Sequence, residues 1–367
     1  MVIGCDHRSD SWRSPECGAG GWHAVEMGVI CRCDLTGSAG KRLGPVAADR
    51  TPSRIQGPRG LMMQVATVVN SKGGVGKTTL TANVGAELAR RGRRVLLLDL
   101  DFQASLTHSF YRPADVERQI DRRTVADWYM AAGRRGAGPD LMRYVSWPQE
   151  VRAHTRRNGG ELAIVASAPK LEGVAARLGV ELGDPSSRRY QDRHRRVVMR
   201  LADGLRLLRR EGFDYVLIDC RPDFEILTRS AIVASEGVLV PAQPERLATF
   251  GIRHLTERLT DFKKNNFEIL GWSPSGENRV EDLAPAFLGV VFTRVRHGGG
   301  GPGPTPSSQR VIDEVRRLFP TFTAMMRESL DFQTGVDRLL PAVFGLRPDI
   351  ATEIRALVDE FESRIGP

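Results

Sequence analysis

The sequence predicts an α/β fold, a three-layer α/β/α sandwich around a mostly parallel sheet. Three observations predict it. Six short apolar runs are continuous rather than alternating, as expected of strands buried on both faces. Segments with helical spacing separate these runs. A Gly-rich turn and several aspartates fall at the carboxyl ends of the runs, where sheets of this kind bind ligands.

The elements follow in chain order. Residues 1–61 are rich in Gly, Arg, Cys, Ser and Pro without sustained periodicity, and no packed unit is expected there. A disordered extension and a start codon assigned too far upstream would both look like this. The pattern changes at Met62-Met63, so residues 62–367 are expected to form the folded domain. "QVATVVN" (64–70) reads as a buried strand. A glycine-rich turn leads into a helix beginning near Lys77, with Leu80, Val84 and Leu88 on its buried face and Gly92 as its stop. "RVLLLDLD" (94–101) and "LAIVAS" (162–167) are the next strands. A basic helix over about 192–210, ending at Gly212, feeds "DYVLIDC" (214–220). "GVLVPAQ" (237–243) and "FLGVVFT" (287–293) complete the set. Residues 111–160, polar and arginine-rich, read as an insertion beside the site. "HGGGGPGPTPSS" (297–308) reads as a flexible surface loop.

Composition narrows the function classes. The 367 residues suffice for one large domain or two modest ones, and 41% hydrophobic with 26% charged residues suits a water-soluble chain. No apolar run approaches the ~18 residues of a membrane span, and the first thirty residues lack the pattern of a secretory signal. A formal charge of +9 favours a polyanionic partner, either nucleic acid or an anionic membrane. Four of the five cysteines (Cys5, Cys17, Cys31, Cys33) precede residue 34, and the fifth is Cys220. Their spacing matches no familiar metal-ligand pattern, so a reduced chain without disulfides or metal is expected.

"NSKGGVGKTT" (70–79) carries the chemistry. Glycines at 73, 74 and 76 let the backbone curl around phosphate oxygens, and the helix that follows adds its positive end. Lys77 supplies a charge for terminal phosphates, and the Thr78 hydroxyl is placed to ligate Mg²⁺. The expected contact set is Lys72, Gly73, Gly74, Val75, Gly76, Lys77, Thr78 and Thr79. Asp219 closes an apolar strand, as expected of a carboxylate that meets Mg²⁺ through bound water. Asp99 and Asp101 close the strand after the glycine-rich turn, and an aspartate there can orient the water that attacks a γ-phosphate. Ser71 stands where the usual P-loop pattern has glycine, and Lys72 is an additional lysine.

"KGGVGKTT", then "VLLLDLDFQASLT", then "DYVLIDCRPDF" resembles the ParA/MinD class of deviant Walker A ATPases over about residues 62–345, closest to the ParA branch. The resemblance implies a P-loop NTPase binding ATP and Mg²⁺, with Lys72 reaching across an ATP-sandwich homodimer to the partner's nucleotide. It assigns Asp101 to water positioning, Asp219 to the magnesium shell and Asp99 to support of the magnesium or switch region. Two positions depart from the pattern: Phe102 and Arg221 each stand where the family usually has proline.

Relatives that bridge or scaffold iron–sulfur clusters need cysteines absent after Cys33 save Cys220, and the related tyrosine kinases end in a tyrosine cluster, whereas the last tyrosine here is Tyr215. MinD-like members bind membrane through a C-terminal amphipathic helix. Here Ile350, Ile354, Leu357, Val358 and Phe361 have helical spacing, but Asp359, Glu360 and Glu362 would be repelled by anionic lipid, so a helix packed on the domain is expected. The ParA reading implies nonspecific DNA binding through scattered basic residues. The candidates are Arg253, Arg258, Lys263, Lys264, Arg294, Arg296, Arg310, Arg316 and Arg317. It implies a cytoplasmic, nucleoid-associated switch with a ParB-like partner, in plasmid or chromosome partition. A MinD-like membrane ATPase or a ParA-like ATPase positioning another cargo are the alternatives.

Overall fold

A computed structural model describes residues 63–366, apart from 121, 133–137, 271–284, 299–302 and 346. It also describes two short strands, β1 (His23–Val25) and β2 (Val29–Cys31). Contacts divide the chain into Met1–Ile55 and Gln56–Pro367. Within the first unit β1 and β2 pair antiparallel; the remaining expectations for residues 1–61 lie outside the described residues.

The second unit holds β3 (Gln64–Val68), β4 (Arg94–Leu100), β5 (Val145–Ser146), β6 (Glu161–Val165), β7 (Tyr215–Cys220), β8 (Gly237–Ala242) and β9 (Ala286–Phe292). Its first helices are α1 (Lys77–Arg90), α2 (Ser105–His108), α3 (Pro113–Asp115), α4 (Val125–Ala131), α5 (Gln149–Thr155) and α6 (Leu171–Leu182). The later ones are α7 (Tyr190–Leu208), α8 (Ile226–Val233), α9 (Ala248–Leu270), α10 (Pro306–Leu318), α11 (Asp331–Asp337) and α12 (Pro348–Ile365).

The strands form one seven-stranded sheet in the order β5-β6-β4-β7-β3-β8-β9, parallel except for β5. Alternate residues of β4 serve opposite cores. Leu96 and Leu98 pack with the apolar faces of α4, α6, α7 and α8, whereas Val95 and Leu97 pack with those of α1 and α12. Burial on both faces explains why these strands read as unbroken apolar runs. The six expected strands lie within two residues of the observed ones. Gly92 (φ 92°) and Gly212 (φ 76°) stop their helices in the left-handed region, as expected.

Two expectations are corrected. The segment 111–160, expected as a polar insertion beside the site, is part of the sheet and core: it supplies the antiparallel edge strand β5 and buries Trp128, Tyr129, Leu141, Val145 and Val151. Trp128 donates its indole N–H to the Pro139 carbonyl at 2.7 Å. It packs so closely on α7 that a Cβ at Gly204 would stand 2.5 Å from its ring. The arginines that dominate the composition hid this core. The stretch 297–308 is not wholly a loop either. Thr305 caps α10 by accepting the Ser308 N–H at 3.3 Å, with Pro306 in the first turn, so Thr-Pro-Ser-Ser is a helix start.

α12 packs against the domain as expected. Its residues Ile350, Ile354, Leu357, Val358 and Phe361 are all buried, and Asp359 and Glu362 pair with Arg91 at the end of α1. Among the described residues no helix is long and apolar enough to cross a membrane.

Candidate functional site

The carboxyl ends of β3, β4 and β7 meet beside the amino end of α1. The turn between β3 and α1 is shaped by hydrogen bonds that hold its carbonyls outward. Asn70 donates to the Pro241 carbonyl at 2.7 Å and accepts the Lys72 N–H at 2.9 Å. The Gly74 carbonyl accepts from Gln243 (2.7 Å) and Arg294 (3.1 Å), and the Val75 carbonyl from the Thr293 hydroxyl (2.6 Å). Gly74 (φ 72°) and Gly76 (φ 80°) occupy the left-handed region that only glycine enters cheaply. With the Gly74 and Val75 carbonyls engaged behind it, the turn leaves its front to N–H groups. A Cβ built on Gly73 or Gly74 would meet nothing within 4 Å, so the front is open. α1 then begins with Gly76 as an N-cap that makes no side-chain bond and with no acidic residue in its first turn. Its free N–H groups and dipole make an anion site.

This front faces a cavity of about 790 Å³. Part of its lining is the glycine-rich turn, Lys77, Thr78, Thr79 and Asp101, and another part is Asn83, Arg327, Phe332 and Pro341. Lys77 is buried, its ammonium donating to the carbonyls of Asn70 (3.3 Å) and Lys72 (3.1 Å). Burial lowers its pKa from the ordinary lysine value, and nearby Asp219 opposes that shift.

Thr78 donates its hydroxyl proton to Asp219 Oδ2 at 2.7 Å. Asp219 Oδ1 is buried without a hydrogen-bond partner. Burial, then the neighbouring Asp99, push the Asp219 carboxyl up to about 8. A divalent cation suits this set. The Thr78 and Asp219 oxygens are hard donors, and positive charge there would offset both the burial of Asp219 and its proximity to Asp99.

Asp99 stands beside Asp219 in register but points to different work. Its Oδ2 accepts the Thr107 N–H (2.9 Å) and hydroxyl (2.7 Å), and its Oδ1 accepts the Asp101 N–H (3.1 Å). Buried to the point that its pKa rises to about 6, it braces the turn after β4. Both of its carboxylate oxygens are thus engaged by residues 101–107. Asp101 follows on the cavity wall, accepting the Gln103 N–H at 3.0 Å. Cys220 is buried, and burial pushes its thiol well above the usual value, which removes it as a nucleophile.

Lys72 lies on the outer side of the turn. It is exposed and ion-paired with Glu245, which precedes α9. The basic candidates for DNA divide. Arg253, Lys264, Arg310, Arg316 and Arg317 are exposed on α9 and α10, which share a small core of Ile252, Ile312 and Val315. Arg258 lies over the Phe224 ring at 4.7 Å. Lys263 is half-buried and donates to the Pro285 carbonyl at 2.7 Å, and burial lowers its pKa, so it is a poor phosphate contact. Arg294 and Arg296 engage the Gly74 carbonyl and Glu328 beside the cavity instead.

Sequence reasoning missed Asn70, Gln243 and Thr293 behind the turn. All three are polar residues ending apolar strands, a signal that was available. It also missed Asn83, Phe332 and Pro341, for which no local signal exists.

Comparison with known proteins completes the picture. A family model described as AAA domain (AAA_31) matches residues 63–270. The chromosome partitioning protein ParA of Caulobacter vibrioides is 33% identical over 213 residues, covering 57% of this chain and 68% of that one. The sporulation initiation inhibitor protein Soj of Bacillus subtilis is 32% identical over 195 residues, covering 53% and 64%. Among solved structures, apo McdA of Cyanothece superposes with a TM-score of 0.60 at 18% identity, over 82% of this chain and all of that one. The cell division ATPase MinD of Pyrococcus furiosus gives 0.51 at 23% identity, over 82% and 99%. The site geometry and these likenesses agree: the chain belongs to the ParA/MinD family of P-loop ATPases.

Proposed function

We propose that this protein is a ParA-type switch that binds MgATP, dimerises around two nucleotides, binds DNA without sequence preference and hydrolyses ATP slowly. The observation that carries the reading is the Thr78–Asp219 contact beside a glycine-rich turn that lines an open cavity. Lys77 and the N–H groups of residues 73–79 would hold the phosphates. Thr78 and Asp219 would hold Mg²⁺, which supplies charge neutralisation at the β- and γ-phosphates. Asp101 would orient the attacking water. Lys72 would leave Glu245 and reach the nucleotide of the second subunit, which ties hydrolysis to pairing. Arg253, Lys264, Arg310, Arg316 and Arg317 would meet DNA phosphates. A ParB-like partner would stimulate turnover and release the DNA, in a cytoplasmic, nucleoid-associated role in plasmid or chromosome partition. The burial of the apolar face of α12 weighs against the membrane-binding alternative.

Co-sedimentation with DNA in ATP, ADP and no nucleotide, repeated across salt concentrations, tests this. Binding is expected with ATP only and should fall steeply with salt. Equal sedimentation in all three nucleotide states would sink the proposal.

A further inference from the structure

Two turns carry the carboxylates of the site, one after β4 and one after β7, and a single side chain ties them together. The turn Asp101–Ala104 is closed by the Ala104 N–H on the Asp101 carbonyl (2.9 Å), with Ala104 in the left-handed region at φ 52°. A buried alanine there is strained, so contacts outside the turn must hold its shape. Phe102, the residue after Asp101, supplies one. The Arg221 guanidinium lies 4.2 Å from the centre of its ring. Arg221 is the first residue after β7, and its Nε stands 2.9 Å from Asp223 Oδ2 in an ion pair not aligned as a hydrogen bond. Asp223 is in turn fixed to the start of α8, its Oδ1 accepting the Glu225 N–H (3.1 Å) and the Thr228 hydroxyl (3.2 Å). A continuous path therefore runs from α8 through Asp223 and Arg221 to Phe102 and the turn bearing Asp101.

We propose that Arg221 is a positioning residue: stacked on Phe102 and anchored by Asp223, it clamps the turn after β4 to α8 and so fixes Asp101 for catalysis. It acts through Phe102 and touches no substrate. Partly exposed ion pairs hold little on their own, whereas a cation over an aromatic face, partly shielded from water, holds more. The aromatic ring is thus the feature to change. Phe102 and Arg221 are also the two positions where the sequence departs from the proline-containing pattern noted above, and here they contact each other. The proposal rests on the ATPase reading, and its test separates the two.

Turnover of saturating MgATP and affinity for a fluorescent ATP analogue are measured on the full chain for Phe102→Ala, Arg221→Ala, the double variant, Phe102→Tyr and Phe102→Leu. Each alanine variant should lower kcat about 10-fold, and the double variant about 10-fold rather than about 100-fold, because one contact is lost in all three. Nucleotide affinity should stay within about 2-fold of wild type, since the phosphate turn is untouched. Phe102→Tyr should restore turnover and Phe102→Leu should not. Amide exchange in the peptide spanning 101–104 should speed up equally in both alanine variants. Multiplicative losses, rescue by leucine, or unchanged exchange would each overturn the clamp. A wild-type chain that hydrolyses no ATP would instead overturn the function proposed above, and the exchange measurement would then decide the clamp alone.

Discussion

Two parts of the cavity lining, the phosphate end at the glycine-rich turn and the wall that includes Arg327, are held in different ways. The phosphate end is pinned from behind largely by neutral side chains, Asn70 on Pro241, Gln243 on Gly74 and Thr293 on Val75, with Arg294 also on Gly74. The other wall, which includes Arg327 and Phe332, is pinned by charges. Arg327 pairs with Asp349 (2.6 Å) and Glu353 (2.6 Å), and Arg347 pairs with Asp349 (2.6 Å) and Asp331 (3.6 Å). Neutral hydrogen bonds respond little to salt or pH, and the buried ones, those of Asn70 and Thr293, are costly to break singly. Surface charges are screened and individually weak. The difference teaches that one end is built to a fixed shape, while the other can adjust to what lies against it.

The largest effect tests the fixed end. Replacing Lys77 with alanine removes the buried ammonium that lines the cavity beside the N–H groups of the turn. Nucleotide affinity should fall about 100-fold or more, since contacts to charged groups contribute ~1.5–3 kcal/mol each. Calorimetric titration with MgATP checks it, and near-normal binding would mean that the turn does not hold phosphate. Next comes Thr293→Val, which keeps the shape but strips the Val75 carbonyl of its donor. The cost of an unsatisfied buried group is ~1–3 kcal/mol. Because the carbonyl holds the turn in its binding shape, affinity should fall about 10-fold. If Thr293→Val binds like wild type, the fixed end is not pinned from behind.

The same contrast decides what was legible in the sequence. The phosphate end is contiguous, and steric rules compel glycine at positions 74 and 76, so ten residues announced it. Asp219 and Asp99 were legible because a carboxylate ending an apolar strand is unusual. Which of them bonds to Thr78 was not, since Asp99 is instead taken up by Thr107, eight residues beyond it and reaching back. The other wall was illegible for a deeper reason. Asn83 in α1 accepts the Val343 N–H at 3.1 Å across 260 residues, and no local spacing encodes such a pair. The core of 111–160 failed differently: a handful of buried residues were outvoted by surface arginines in a reading based on composition.

A third prediction probes the adjustable wall. Arg327→Ala removes two ion pairs at once, leaving Glu353 its bond from the residue 327 N–H. Affinity should fall only about 3-fold, as expected for partly exposed charge pairs worth ~0–1 kcal/mol. Titrations of wild type at rising salt should approach the variant's value, because screening removes the same pairs. A loss as large as that of Thr293→Val would erase the contrast between the two ends.

The smallest effect concerns acid. The hydrogen bond from Arg347 holds the Asp349 carboxyl well below the usual carboxylate range. The unfolded chain takes up this proton near pH 4, whereas the folded chain resists until lower pH. The stabilisation from Asp349 is therefore complete above about pH 4 and is lost as pH falls through the lowered native value. Asp349→Asn cannot bind that proton, so between pH 5 and pH 3 its melting temperature should fall less than that of wild type. Other carboxylates titrate in both proteins, and only the difference reports on Asp349. The neutral groups that pin the phosphate end from behind (Asn70, Gln243, Thr293) do not ionise and make no such contribution. Parallel melting curves for wild type and Asp349→Asn would show that charge does not hold the adjustable wall.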